Sequence, residues 1–204
     1  MLTKEGEFTR YNLSFTSGAL LNREATIAAA LYLESYDWTN VRKHLAERNL
    51  FQASTTASAR RRAGEVVRRL SSFSDREIAL LAESSPTERK LLLWVAACRH
   101  YTFIGEFAEE VVRERWLLLI PTLSYAEFDR FVSSKLLWHP ELAELKKTTL
   151  NKLRGTLFRM LTEAELLANG NIQQAFLTEA TRNALNTDGH SDIRFLPTNA
   201  PVGV

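Results

Sequence analysis

An all-α fold follows from three features of this 204-residue chain. Apolar residues recur along nearly its whole length at the spacing that gives a helix one buried stripe. The alternation of apolar and polar residues that marks a half-buried strand is almost absent. Helix starts are spelled in side-chain chemistry: Ser74 with Glu77, Ser85 with Glu88 and Ser124 with Glu127 match the capping box, in which the two side chains satisfy orphan backbone N–H groups reciprocally.

Taken in order, the first element is an amphipathic helix over Arg23–Glu34, followed by a second over Trp38–Asn49. Ala57–Ser72 is an arginine-rich third. Asp75–Glu83 and Pro86–Tyr101 each follow one of the capping signals, and Pro86 suits the first helical position because its missing N–H has no partner there. Within the latter, Leu91 to Cys98 is apolar on every face, as a helix at the centre of the core must be. Phe103–Leu119 reads as one continuous helix. Tyr125–Leu137 follows the third capping signal and stops at Trp138-His139-Pro140-Glu141, since proline disfavours helical geometry in the residue before it. Leu145–Leu167 is the longest helix, and Thr162 with Glu165 repeats the capping spelling inside it without marking a start. From Asn169-Gly170, a turn signal, the chain becomes loop-rich apart from a short helix over Glu179–Leu185, and its last ten or so residues are expected to be mobile. The division expected is an N-terminal basic region over 1–73, with a helix-turn-helix-like layout, and a helical bundle over 74–204, the two able to pack as one unit.

Composition narrows the class. Hydrophobic residues at 45% and charged residues at 25% are the balance of an ordinary globular protein. A bilayer span needs about 20 consecutive apolar residues, which no stretch supplies, and the N-terminus lacks the apolar run of a secretory signal. Cys98, the single cysteine, excludes an internal disulfide and a cysteine-based zinc site, so a reducing cytoplasm is the expected location. Cys98 and His100 point about 200° apart on a helix, wrong for a thiolate and its base, and Cys98 reads as a buried structural residue. The eight glycines never cluster into a phosphate-binding loop, and His44, His100, His139 and His190 lack the spacing of a zinc site. Glu106, Glu109 and Glu110 read as a solvated acidic face, and Phe103, Phe107, Trp116, Phe128 and Phe131 as core. No catalytic residue, metal, cofactor, membrane or small-molecule substrate is therefore expected.

The net charge of +2 conceals a segregation. Val41–Leu70 has eight basic residues against two acidic ones, Ser71–Leu145 has eight against twelve, and Lys146–Met160 has five against none. On a helical wheel Ala59, Ala63, Val66, Val67 and Leu70 share one side. Arg61, Arg62, Arg68 and Arg69 fall opposite, with Glu65 between them at ion-pairing spacing. One glutamate leaves most of that charge uncompensated, which favours a phosphate-contacting face over a merely solvated one. Arg42, Lys43 and Arg48 precede it on another basic helix, separated by a connection longer than the usual helix-turn-helix turn. Ser54, Thr55, Thr56 and Ser58 stand where they serve either as caps or as phosphate ligands at the positive end of the next helix. The second block, with Lys146, Lys147, Lys152, Arg154 and Arg159, spreads its charges over two flanks, while Leu150, Leu153, Leu157 and Leu161 turn to the core.

The segments YNLSFTSGALL, HLAERNLFQASTTASARRR, ERKLLLWVAACRHYTFIGEFAEEVVRERW and LLWHPELAELKKTTLNKLRGTLFRMLTEAELL together resemble the BrxA family of the bacteriophage-exclusion (BREX) defence systems, over roughly Tyr11–Leu167. The resemblance implies a small helical cytoplasmic component of an anti-phage system that also contains a DNA methyltransferase and a large ATPase. It also implies double-stranded DNA binding and a fold similar to the NusB-like bundle of an RNA-binding antitermination factor. It carries over no catalytic residues. The expectation is a non-enzymatic DNA-binding accessory protein with other BREX components as partners. Its phosphate contacts are assigned to Arg42, Lys43, Arg60, Arg61, Arg62, Arg68, Arg69, Lys146, Lys147, Lys152 and Arg154. A protein–protein adaptor docking acidic surfaces is the rival reading, and RNA binding a third.

Overall fold

A computed structural model describes residues 10–16, 18–187 and 190–199. Its helices follow the sequence reading closely: α1 Asn22–Ser35, α2 Trp38–Glu47, α3 Thr56–Leu70, α4 Asp75–Glu83 and α5 Pro86–His100. Next come α6 Thr102–Phe107, α7 Glu114–Leu117, α8 Tyr125–Lys135, α9 Lys147–Glu163 and α10 Glu179–Leu185. The capping boxes at Ser74/Glu77 and Ser124/Glu127 are both closed. At Ser85 only half the box forms: the Ser85 hydroxyl accepts from the Glu88 N–H, but the Glu88 carboxylate instead accepts the hydroxyls of Thr178 and Thr181, docking the start of α10 onto the start of α5.

Every residue from Leu91 to Cys98 is buried, and α5 packs against α1, α3, α4, α6 and α9. The Trp94 indole N–H donates to the Phe195 carbonyl at 2.9 Å. α1 packs on α4 as well as on α2 and α3, so the elements before and after residue 73 share one contiguous apolar core that runs from Tyr11 to Leu196. Phe103, Phe107, Phe128 and Phe131 form an edge-to-face cluster within it.

Two expectations are corrected. The expected helix over Phe103–Leu119 is α-helical only at its ends, because Ala108–Arg113 forms a π-helical segment. Apolar spacing reads the same for both geometries over so short a run, so periodicity does not separate them. The widened turns seat Val112 and Arg113 inward, and Arg113 donates to the carbonyls of Ile193, Leu196 and Thr198. That grip corrects the second expectation: Phe195, Leu196 and Thr198 are buried rather than mobile. Residues 200–204 lie outside the described residues. The Asn169-Gly170 signal is a hairpin turn between β1 Leu167–Ala168 and β2 Asn171–Ile172, with φ of 51° and 75° at the two turn residues, the left-handed pair such a turn requires. A second small hairpin joins β3 Asn186–Thr187 to β4 His190–Ser191.

Two helical glycines meet different surroundings, and opposite outcomes are expected on adding a methyl group. A Cβ at Gly105 lies 2.9 Å from the Cys98 carbonyl oxygen and 3.1 Å from the Phe195 ring. Gly105→Ala is expected to destabilise by about 1–3 kcal/mol, the range for overpacking a close-packed core. At Gly64 the nearest atoms are the flexible ends of Arg68, at 3.1 Å, and Arg42, at 3.5 Å. Gly64→Ala is therefore expected to stabilise by about 0.5–1 kcal/mol through helix propensity. Urea unfolding of the two variants checks both signs.

Candidate nucleic-acid interface

α2 and α3 pack on each other across the connection 48–55. α2 opens at Asp37, whose carboxylate accepts the Thr39 N–H at 2.8 Å, and turns Val41 and Leu45 inward. Arg42 and Lys43 are consequently exposed. The connection is held by Asn49, whose side chain both accepts the Ala53 N–H and donates to the Ala53 carbonyl, and by Phe51, which is buried. Thr55 caps α3, accepting the Ser58 N–H at 3.1 Å, so capping is its role in the fold. Ser54 and Thr56 remain exposed beside it.

On α3 the buried side is the one the wheel assigns: Ala59, Ala63, Val66, Val67 and Leu70. Arg60 and Arg61 are exposed, and like Arg42 and Lys43 they have no acidic partner at ion-pair distance among the described residues. Arg62 is half-exposed and lies 3.8 Å from Glu24. The guanidinium ends of Arg42 and Arg68 meet over Gly64, where the missing side chain lets α2 lay a cation across α3. Arg60, Gly64 and Arg68 share one helix stripe, so Arg42, Arg60 and Arg68, with Arg61 beside them, form a cationic ridge spanning both helices.

Arg69 is the correction. It is 3% exposed, pairs with Glu65 at 2.7 Å and donates to the Ala19 carbonyl at 2.7 Å. Glu65, also buried, accepts from the Tyr101 hydroxyl at 2.5 Å and from Arg68 at 2.9 Å. On the wheel Arg69 lies only about 60° from Val66, at the edge of the apolar side. What decides its direction is the Ala19 carbonyl and Tyr101, neither of which belongs to the helix. The Glu65–Arg69 pair therefore clamps α3 to the end of α5 and offers nothing to a phosphate. Burial pushes the Glu65 carboxyl up, but the Arg69 charge and the hydrogen bonds from Tyr101, Arg68 and Arg69 outweigh it and hold the carboxyl below its usual range. Burial and the Glu65 contact push the Tyr101 phenol up to about 12.

A second buried carboxylate behaves alike. Glu77, buried, closes the α4 capping box and pairs with Arg99 at 2.5 Å; Arg99 also reaches Asp192 at 2.5 Å and the Ser72 carbonyl at 2.9 Å. Burial raises the Glu77 carboxyl, and Arg99 and Ser74 together draw it below the usual range. For both acids the folded pKa lies below the unfolded value, so the unfolded chain takes up protons first. Their contribution is complete above about pH 4.5 and is lost as pH falls through the lower folded values. The urea midpoint is expected to be flat between pH 5 and 7 with respect to these groups and to fall steeply below about pH 4.5; Glu77→Gln should flatten that fall.

In the second basic block, Lys146, Lys147 and Lys152 are exposed at the start of α9, as is Arg159 further along. Arg154, also expected to contact phosphate, is engaged within the fold: it donates to both carboxylate oxygens of Asp129 at 2.9 and 3.0 Å and stacks 4.4 Å over the Tyr125 ring. α3 and α9 both pack on α5, so the two basic blocks stand on separate elements and do not merge into one helix pair. The acidic residues of α6 and of the π-helical segment after it are also paired: Lys135 lies 2.6 Å from both Glu106 and Glu110. His139 and Glu141 face each other at 3.1 Å under Tyr11, whose ring stacks 3.6 Å from the imidazole. Cys98 is buried. No group of metal-ligating side chains occurs among the described residues, and no helix among them is long and apolar enough to cross a membrane.

Comparison with known proteins gives a consistent set. The family model described as BrxA matches residues 9–189. A BREX protein BrxA of Escherichia coli O9:H4 (strain HS) is 29% identical over 179 residues, covering 86% of this chain and 84% of that protein. A BREX protein BrxA of Bacillus cereus (strain H3081.97) is 25% identical, with 91% of each chain covered. One of Paramagnetospirillum magneticum (strain ATCC 700264 / AMB-1) is also 25% identical, covering 76% of this chain and 77% of that one. In structure, the fold matches the crystal structure of an uncharacterized protein from Magnetospirillum magneticum with a TM-score of 0.79 at 21% identity, over 93% of this chain and 100% of the other.

Proposed function

The chain belongs to the BrxA family, and on that premise we propose that it is a non-enzymatic accessory protein of BREX phage defence that binds double-stranded DNA in the cytoplasm. The observation that carries this reading is the ridge on α2 and α3. Arg42, Lys43, Arg60 and Arg61 are exposed, lack acidic partners among the described residues, and are backed by a buried clamp that fixes the orientation of α3. Cations held out on a rigid helix pair, beside the exposed hydroxyls of Ser54 and Thr56 near the start of α3, suit the phosphate backbone of a duplex. The layout is that of a helix-turn-helix reader with a long turn. Arg68 within the ridge and Arg62 beside it add charge that each shares with a glutamate. Lys146, Lys147 and Lys152 supply a second, separate contact region at the start of α9.

Other BREX components are the further partners that family membership supports. Contacts of this kind give affinity and orientation with little base readout, so binding is expected to depend on salt more than on sequence. Titrating a labelled duplex at several salt concentrations tests the reading: each phosphate engaged contributes about −0.9 to the slope of log K against log salt. A slope near zero, or no binding at low salt, overturns it in favour of an adaptor that docks acidic protein surfaces.

A further inference from the structure

The first hairpin has an edge that the chain leaves open. β2 is bonded on both sides. Toward β1 the ladder continues past the strand, with the Gln173 N–H donating to the Leu166 carbonyl at 2.9 Å. On the other side the Ile172 N–H donates to the Pro121 carbonyl at 2.7 Å, and the Gly170 carbonyl accepts from the Leu123 N–H at 2.8 Å. From β2 the chain runs on to Leu177 without a turn or bend. Successive residues of an extended chain direct their N–H and C=O groups to opposite edges. Gln173 and Ala175 thus share the β1 side, where the Ala175 N–H donates to the Pro197 carbonyl at 2.8 Å. Gln174 and Phe176 face the side of Pro121, and their backbone N–H and C=O groups have no hydrogen-bond partner among the described residues.

The edge stays open because the neighbouring segment stops short. Residues 121–123 cover Gly170 and Ile172, but the chain before Pro121 is held in the end of α7. There the Ile120 N–H donates to the Arg115 carbonyl and the Leu119 N–H to the Trp116 carbonyl, the two bonds of a Schellman turn. Gln174 and Phe176 line a cavity of about 800 Å³ together with Leu91, Trp116, Leu166 and Ile172. Phe176 is 76% exposed, and Leu119, at the turn, 87%. Residues 116–126 and 166–178 contain no acidic or basic side chain. The one carboxylate in the cavity wall, Glu165, pairs with Lys90 at 2.7 Å.

We propose that this edge takes a peptide strand: an extended, uncharged segment of a partner protein that exchanges backbone hydrogen bonds with Gln174 and Phe176 and sets a large apolar side chain in the cavity. Residues two apart with open N–H and C=O groups are what strand addition uses, the backbone giving affinity and a pocket for alternate side chains giving selectivity. An added strand lies about 4.8 Å from 173–177, and every second side chain of it points to the same face. The neutral surroundings select the occupant. A charged side chain entering this cavity would lose its water with no counter-charge to meet it. A helix, whose backbone groups bond within itself, would leave Gln174 and Phe176 unpaired. No residue of the site belongs to α2 or α3, so the inference stands independently of DNA binding.

Nuclear magnetic resonance of the isotope-labelled full chain tests it, by titration with acetyl-Thr-Val-Leu-Val-Thr-amide and with the same peptide methylated on every backbone nitrogen. Backbone pairing needs no particular sequence, so the plain peptide is expected to bind at millimolar concentration. At saturation it should slow hydrogen exchange of the Gln174 and Phe176 amides at least about tenfold, while those of Gln173 and Ala175, already bonded, change little. The methylated peptide should do neither. Gln174→Pro deletes a donor that the fold does not use, at an edge where proline is tolerated. It is expected to keep the thermal midpoint within about 3 °C and to weaken the plain peptide about tenfold. The methylated peptide removes the peptide's own backbone donors without altering the protein, so the result does not hang on that variant. Absence of any response to the plain peptide, an equal response to the methylated one, or a folded Gln174→Pro chain that binds as well as wild type overturns the proposal.

Discussion

Replacing Arg42, Lys43, Arg60 and Arg61 together by glutamine is expected to weaken binding to duplex DNA by about 10³-fold at 0.1 M salt. Each phosphate contact carries about 0.9 of a released counterion, so at that salt each is worth a little under one decade, and four give three decades or slightly more. The salt slope should become shallower by about 3 to 4 at the same time. Fluorescence anisotropy at a series of salt concentrations measures both quantities. None of the four side chains is buried, and none has an acidic partner at ion-pair distance among the described residues, so stability is expected to stay within about 0.5 kcal/mol per substitution, and circular dichroism should show an intact helical fold. An unchanged slope in a folded variant places the contacts elsewhere, with Lys146, Lys147 and Lys152 the next set to change.

Glu65→Leu is the second large effect, and it acts on the fold. Removing the carboxylate leaves Arg69, with its side chain 4% exposed, as an uncompensated buried charge and strips the Tyr101 hydroxyl of its acceptor. Breaking one side of a buried pair costs about 3–5 kcal/mol, a large part of the stability of a chain this size. The double variant Glu65→Leu with Arg69→Met is expected to recover most of that loss, because replacing both partners by apolar groups is often neutral. Arg68→Ala, which removes a half-exposed partner of the same carboxylate, should cost less than about 1 kcal/mol. Urea unfolding of the three ranks them; a mild single Glu65 variant would show that α3 is held by its apolar side alone. The comparison also bears on any test of DNA binding. Arg69 has to stay, since a variant lacking it would lose binding by unfolding and the ridge would receive the credit.

The agreement between sequence and structure is uneven for identifiable reasons. Helix positions were legible because burial of one stripe and capping of each start are local requirements, written within a turn or two of the residues they govern. The hub from Leu91 to Cys98 was legible because a helix apolar on every face has no solvent side to offer. The direction of a charged side chain at the edge of a stripe was not legible. Arg69 and Arg154 differ little in sequence from Arg60 and Arg61, and only Ala19, Tyr101 and Asp129, brought in by the fold, separate them. Arg113 and Arg99 were missed for the same reason: Arg113 is held by Ile193 and Leu196, 80 or more residues away, and Arg99 by Glu77 and by Asp192, 22 and 93 residues away. The exposure of Leu117, Leu118, Leu119 and Ile120 was not legible, because an apolar run at the end of an expected helix reads as core until the fold leaves it uncovered.

By itself the sequence determined an all-α chain with a buried fifth helix, an excess of cations on its second and third, and membership of a family legible in whole segments. The tertiary structure decided which of those cations are free, how α3 is held, and where apolar surface is left uncovered. The physical reason is range. Helix formation and amphipathicity are set by neighbours within about four residues, while burial and charge pairing depend on groups that meet only when the chain has folded.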